Sequence, residues 1–224
     1  MCFSAGASFT GSAVLSAIGI ASVRSAHEPS DKLFAGIPLF FAIQQCAEGV
    51  VWLTLRSGEN QGLGRFAAYI FLLMALVIWP VMIPLAVGKM EKNEKRKKII
   101  HGILFGGVIL SFYYSYCLMS FSVTPVINGF HIQYVNNFPG SMGLAAFGVY
   151  IIATMTPLFI STVKRMYLFG ILIFISCAVT GFFYKEYLTS VWCFFAALIS
   201  CIVYWIVKES HIESHSVRFR VIKA

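Results

Sequence analysis

One carboxylate inside a long apolar run is the group best placed to do chemistry in this chain. Glu48 belongs to the segment Gln44-Gln45-Cys46-Ala47-Glu48-Gly49-Val50-Val51-Trp52, within an apolar stretch over 33–55 that is long enough to cross a bilayer as a helix. An ionisable side chain at such a depth costs about 2.5 kcal/mol or more unless it faces protein, water or a partner. Gln44, Glu48 and Trp52 are spaced four apart and share one helical face, with Gln45 beside them. Lipid offers that face no hydrogen bonds, so it has to look into a bundle. Three kinds of chemistry suit it. Glu48 can carry the charge at a small-molecule or ion site, oriented by Gln44 and Gln45. It can act as general acid or base in a membrane-embedded enzyme, with Cys2 or Cys193 as nucleophile or metal ligand. Or the polar face can simply tie helices together.

Composition defines the elements that must position these groups. The chain is 58% hydrophobic and only 12% charged, with mean hydropathy +0.80, which marks an integral membrane protein and not a soluble domain. Seven apolar blocks can be laid out, at 8–23, 33–55, 66–87, 99–120, 142–161, 166–184 and 187–207. Of the nine acidic residues, only Glu48 falls inside a block. The first block is rich in Ser, Gly and Ala; its Ala13, Ala17 and Ala21 recur every fourth residue and predict a packed interior helix. Trp79-Pro80 and Pro84 predict a kink in the third. The six cysteines lack CxxC spacing and mostly sit in apolar runs, a pattern that fits neither a disulfide framework nor a zinc finger.

The net charge of +8 reads as membrane orientation and not as nucleic-acid binding, because the basic residues lie in short inter-block loops. Fourteen of the seventeen Lys and Arg fall in one set of alternate connections and the C-terminal tail; Arg56, Arg65 and Lys185 are the only ones in the other set. The N-terminus therefore lies outside and the C-terminus in the cytoplasm. The outer loop 121–140 carries no charged residue, and Asn128-Gly129 between β-prone runs predicts a hairpin over 123–135, with a type I′ turn centred on that pair. Its Phe130, Ile132 and Tyr134 would share one face, and the hairpin would lie over the helix ends.

Orientation allows depths to be compared. Glu48 sits roughly 10 Å below the outer rim. Ser190, Trp192 and Cys193 open the seventh block, Tyr114 lies near the outer end of the fourth, and His131 hangs above them. Gln44, Gln45, Glu48, Trp52, Tyr114, His131, Tyr134, Ser190 and Trp192 are therefore the candidates to line an outward-facing polar cavity. Cys2, Glu48, His131 and Cys193 have the donor types of a zinc or transition-metal site; a metal ion is admissible as cofactor, and the sequence requires none.

Met1-Cys-Phe-Ser-Ala5, Gly36-Ile-Pro-Leu-Phe40, the Gln44–Trp52 motif, Trp79-Pro80, His131-Ile-Gln-Tyr134 and Ser190-Val-Trp-Cys-Phe-Phe-Ala-Ala197 together resemble a family of uncharacterised, predominantly prokaryotic multi-pass membrane proteins, a domain of unknown function. The resemblance covers 1–207 and implies a single membrane domain, with no activity or substrate attached. Relatives often carry histidines at two positions where this chain has Leu76 and Phe138, which counts against a multi-histidine metal centre.

The expected architecture is an all-α membrane protein. Seven transmembrane helices form a bundle over 1–207, with the N-terminus out, the C-terminus in and a short outer β-hairpin, followed by a basic cytoplasmic tail at 208–224. Its partners are the lipid bilayer of a plasma or inner membrane and a small-molecule or ion ligand, with no nucleic acid. Orientation has a direct check. A cysteine introduced at Gly129 should react with a membrane-impermeant thiol reagent added outside cells, and one at Asn93 should not; the opposite pattern would invert the topology.

Overall fold

In a computed structural model of the chain, residues 4–209 are described; Cys2 and most of the basic tail lie outside them. Seven helices are long and apolar enough to cross a membrane: α1 Ala5–Ser25, α2 Lys32–Ser57, α3 Gln61–Met90, α4 Glu94–Ser120, α5 Met142–Ile160, α6 Met166–Phe183 and α7 Leu188–Glu209. Between α4 and α5 stand β1 (Val123–Asn128) and β2 (His131–Asn136), paired antiparallel. Local chemistry sets the ends. Ser4 accepts from the Ala7 amide to cap α1, Asn93 accepts from the amides of Lys95 and Arg96 to cap α4, and Gly58 takes a left-handed conformation to end α2.

Helix α2 is the centre of the arrangement. In its apolar window 72% of residues are buried, against 22% in α1. It packs on α1, α3 and α7, while α5 bridges α3, α4 and α6. The close fit of α1 on α2 depends on Gly49, where a Cβ would come within 2.9 Å of the Phe9 ring, and Ser12 Oγ donates to the Ala42 carbonyl at 2.8 Å. The expectation of a packed interior α1 is corrected here. Ala13, Ala17 and Ala21 are all exposed, and Ser8, Leu15, Gly19 and Ser22 form the buried stripe. Several small-residue stripes run along this helix, and a spacing of four does not say which of them meets a neighbour.

The break expected in α3 takes a definite form, a π-helical turn over Leu73–Ile78 directly before Trp79-Pro80. Pro80 has no N–H, so in the wider π register the carbonyl of Ala75 loses its donor. The Tyr150 hydroxyl on α5 supplies one at 2.6 Å, and Ser111 on α4 donates to the Val77 carbonyl, also at 2.6 Å. Pro84 orphans the Pro80 carbonyl in the same way. Gly107 on α4 comes up against that oxygen so closely that any Cβ there would collide with it.

The hairpin is present, but its turn is shifted by one residue. Asn128 pairs with His131, so Gly129 and Phe130 form the loop. Gly129 has φ 61° and Phe130 is not among the residues with positive φ. A type I′ turn centred on Asn128-Gly129 would require positive φ at Asn128 as well; a loop with glycine first needs it only at Gly129. Phe130 consequently projects outward at 72% exposure, while Ile132 and Tyr134 join Val123 against the bundle. The strands lie over the ends of α2, α3 and α7.

At the end opposite the hairpin, Glu91 clasps two loops. Its carboxylate accepts from the Thr162 amide and hydroxyl, both at 2.6 Å, and from the Asn93 amide at 2.8 Å. Burial pushes the Glu91 carboxyl up, but the bonds from Thr162 and Asn93 outweigh it and hold the pKa below 4.5. A folded pKa below the unfolded one gives stability that is complete above about pH 4.5 and is lost as pH falls through the folded value. Glu91→Ala should therefore lower the melting temperature at pH 7, and the gap from wild type should shrink on acidification below pH 4.5. A pH-independent gap would contradict this.

Candidate functional site

The polar groups of α2 meet α3 and α7 in the half of the bundle nearer the hairpin. Glu48 is fully buried, and Gln44 and Gln45 are 0% and 1% exposed. Ser190, at the start of α7, donates to Glu48 Oε1 at 2.5 Å. Gln45 Nε2 reaches Glu48 Oε2 at 3.4 Å, a long bond. One turn deeper, the Trp79 indole N–H donates to Gln44 Oε1 at 2.9 Å, and its ring stacks on Phe41 at 4.1 Å between centroids. The Cys193 side chain lies beside Gln44 and Glu48. The i, i+4 face of α2 is thus tied to α7 through Glu48 and to α3 through Gln44. Gln45 Oε1 and the Trp192 indole nitrogen are buried with no hydrogen-bond partner among the described residues.

Two small cavities adjoin this cluster. One, of about 40 Å³, is walled by Phe41, Trp79, Tyr150, Phe169 and Trp192, among others. The second, of about 60 Å³, lies nearer the hairpin and is bounded by Tyr114, Phe147, Thr189 and Trp192. Tyr150, Trp192 and Cys193 belong to both walls, whereas Glu48, Gln44 and Gln45 belong to neither. The carboxylate is therefore sealed behind Cys193 and Trp79, not opened to a cavity.

The remaining candidates are distributed around this centre. Trp52 packs in the apolar cluster under the hairpin, with the Arg56 guanidinium 5.2 Å from its ring centroid. Tyr134 stacks on Phe71, with centroids 4.9 Å apart and planes 10° apart. His131 lies against Tyr184 and Tyr187, at 5.1 and 4.9 Å, and burial lowers its imidazole pKa below 6.5. Of the metal-donor set, Glu48 and Cys193 are neighbours, but among the described residues no three His, Cys, Asp or Glu side chains gather as metal ligands, and Cys2 lies outside those residues. Trp79 and Tyr150 are site residues that sequence reasoning left out. A tryptophan and a tyrosine in the middle of apolar blocks, away from the interfacial belt, were the available signals, since each needs a polar partner when buried.

A sequence profile for a family of unknown function (DUF6629) matches residues 1–217. The chain belongs to this family. No curated protein and no solved structure matches it. The arrangement of Glu48, Ser190, Gln44 and Trp79 is thus a description of a DUF6629 bundle built from its own geometry. Trp79→Phe in this DUF6629 chain keeps the stack on Phe41 and leaves the buried Gln44 Oε1 without its donor. It should cost about 1–3 kcal/mol, read as a lowered midpoint of thermal unfolding in detergent; an unchanged midpoint would show that the bond contributes nothing.

Proposed function

We propose that this DUF6629 chain is a multi-pass protein of the plasma or inner membrane, N-terminus outside, that binds a small solute or ion in its outer half. Glu48 is the charge-carrying group, Gln44 and Gln45 orient it, and His131 closes the site from the hairpin. One observation carries the reading. A carboxylate with no exposed surface accepts a short bond from Ser190 on another helix, beside a glutamine oxygen and an indole nitrogen that have no hydrogen-bond partner among the described residues. Buried polar groups left unsatisfied cost about 1–3 kcal/mol each, and such groups concentrate where a ligand or water completes the set. The neighbouring cavities, at about 40 and 60 Å³, limit the ligand to a few heavy atoms, far below the 300–1,000 Å³ typical of metabolite pockets.

A second reading, in which the polar face only fastens helices, is favoured by the absence of Glu48, Gln44 and Gln45 from both cavity walls. Glu48→Gln separates the two. The amide still accepts from Ser190, so the variant should fold and melt within roughly 4 °C of wild type, equivalent to about 1 kcal/mol in a chain of this size. In the binding reading, alkali cations or small amines stabilise the purified wild type against heat and the variant loses that stabilisation. If none of them shifts the wild type, the fastening reading stands.

A further inference from the structure

The two cavities lie in series along the bundle. The one nearer the hairpin starts at Leu188 and Thr189, where α7 begins, and ends at Tyr150, Trp192 and Cys193. The other starts at those same three residues and runs to Leu158, near the end of α5, and Phe169, near the start of α6. What separates them is chiefly an aromatic contact. The Tyr150 and Trp192 rings meet edge to face, with centroids 5.7 Å apart and planes at 69°. The two halves of this contact are held differently. Tyr150 is anchored through its hydroxyl to the Ala75 carbonyl exposed by the π turn, whereas the Trp192 indole nitrogen has no hydrogen-bond partner among the described residues.

From this geometry we infer that the two cavities are chambers of one narrow pathway along the bundle for small uncharged molecules, with the Tyr150–Trp192 contact as its septum. Size and lining choose the permeant. A water molecule needs about 10–15 Å³ of cavity measured in this way, so each chamber takes only a few molecules of that size. Among the described residues the walls contain no charged side chain, so an ion would surrender its hydration without a charged partner to replace it. Hydroxyls at Tyr114, Thr189 and Thr154 and the Trp192 N–H offer sparse hydrogen bonds on the way. An apolar constriction in such a path controls passage by excluding water. The inference rests on the membrane-spanning reading; it does not require Glu48 to bind anything.

The test uses the full chain reconstituted into phosphatidylcholine–phosphatidylglycerol vesicles, with flotation to verify insertion. Water permeability is read from osmotic shrinkage by stopped-flow light scattering, and ammonia permeability from alkalinisation of a trapped pH dye. Trp192→Ala should raise at least one of these rates roughly tenfold over protein-free vesicles, as expected when an apolar constriction is removed. Adding Ala196→Trp, which fills the chamber away from the hairpin, should return it to the protein-free value. Trp192→Phe, with a smaller ring and less perturbation of folding, should give an intermediate increase. Protein-free rates for both inserted Trp192 variants would overturn the pathway and leave the Glu48 reading intact. Failure to float with the vesicles would overturn both.

Discussion

A carboxylate with no access to solvent constrains everything around it. Glu48 sits in a helix long and apolar enough to cross a membrane, where a charge or an unmet hydrogen bond carries a penalty of several kcal/mol. The Ser190 hydroxyl at 2.5 Å answers that demand from α7, the last of the seven long apolar helices among the described residues. A contact between residues 48 and 190 joins the first third of the sequence to its end. It also fixes the rotation of α2 about its axis, since turning the helix by one residue would swing Glu48 through about 100° away from Ser190. With that rotation set, Gln44 faces Trp79, Gln45 lies beside Glu48, and Gly49 faces Phe9.

The second organising feature is the defect in α3. Two prolines four residues apart withdraw two backbone donors; Tyr150 on α5 supplies a replacement to the Ala75 carbonyl, and Gly107 on α4 packs closely against the Pro80 oxygen. The Tyr150 bond to the Ala75 carbonyl therefore does two things. It completes the π turn that presents Trp79 to Gln44, and it fixes one side of the contact between the two cavities. A local backbone irregularity and a buried polar cluster are in this way parts of a single packing arrangement.

Position along the chain was legible in the sequence, and rotation about each helix was not. Apolar block lengths located all seven helices, and the charge-free loop with Asn128-Gly129 located the hairpin, because both signals are local. The facing of α1 was misread, since Ala13, Ala17 and Ala21 form one of several small-residue stripes and only packing selects Ser8, Leu15, Gly19 and Ser22. The hairpin turn was displaced by one residue because one positive φ at Gly129 was enough. Glu91 drew no notice, since an acid in a basic loop looks solvated; its burial depends on Thr162, 71 positions away. Tyr150 and Trp79 were missed for a related reason, as their partners are carbonyls and amides on other helices, which no spacing within a segment reveals.

The central claim is that Glu48 and Ser190 form the bond that couples α2 to α7, and a double-mutant cycle tests it most directly. Wild type, Glu48→Met (similar in length, with no oxygen to accept from Ser190), Ser190→Ala and the double variant would be compared for unfolding free energy in the same detergent. The account predicts that the effects are not additive, with a coupling of about 0.5–3 kcal/mol, as found for side chains in direct contact. Additivity within about 0.3–0.5 kcal/mol, the behaviour of independent sites, would contradict it.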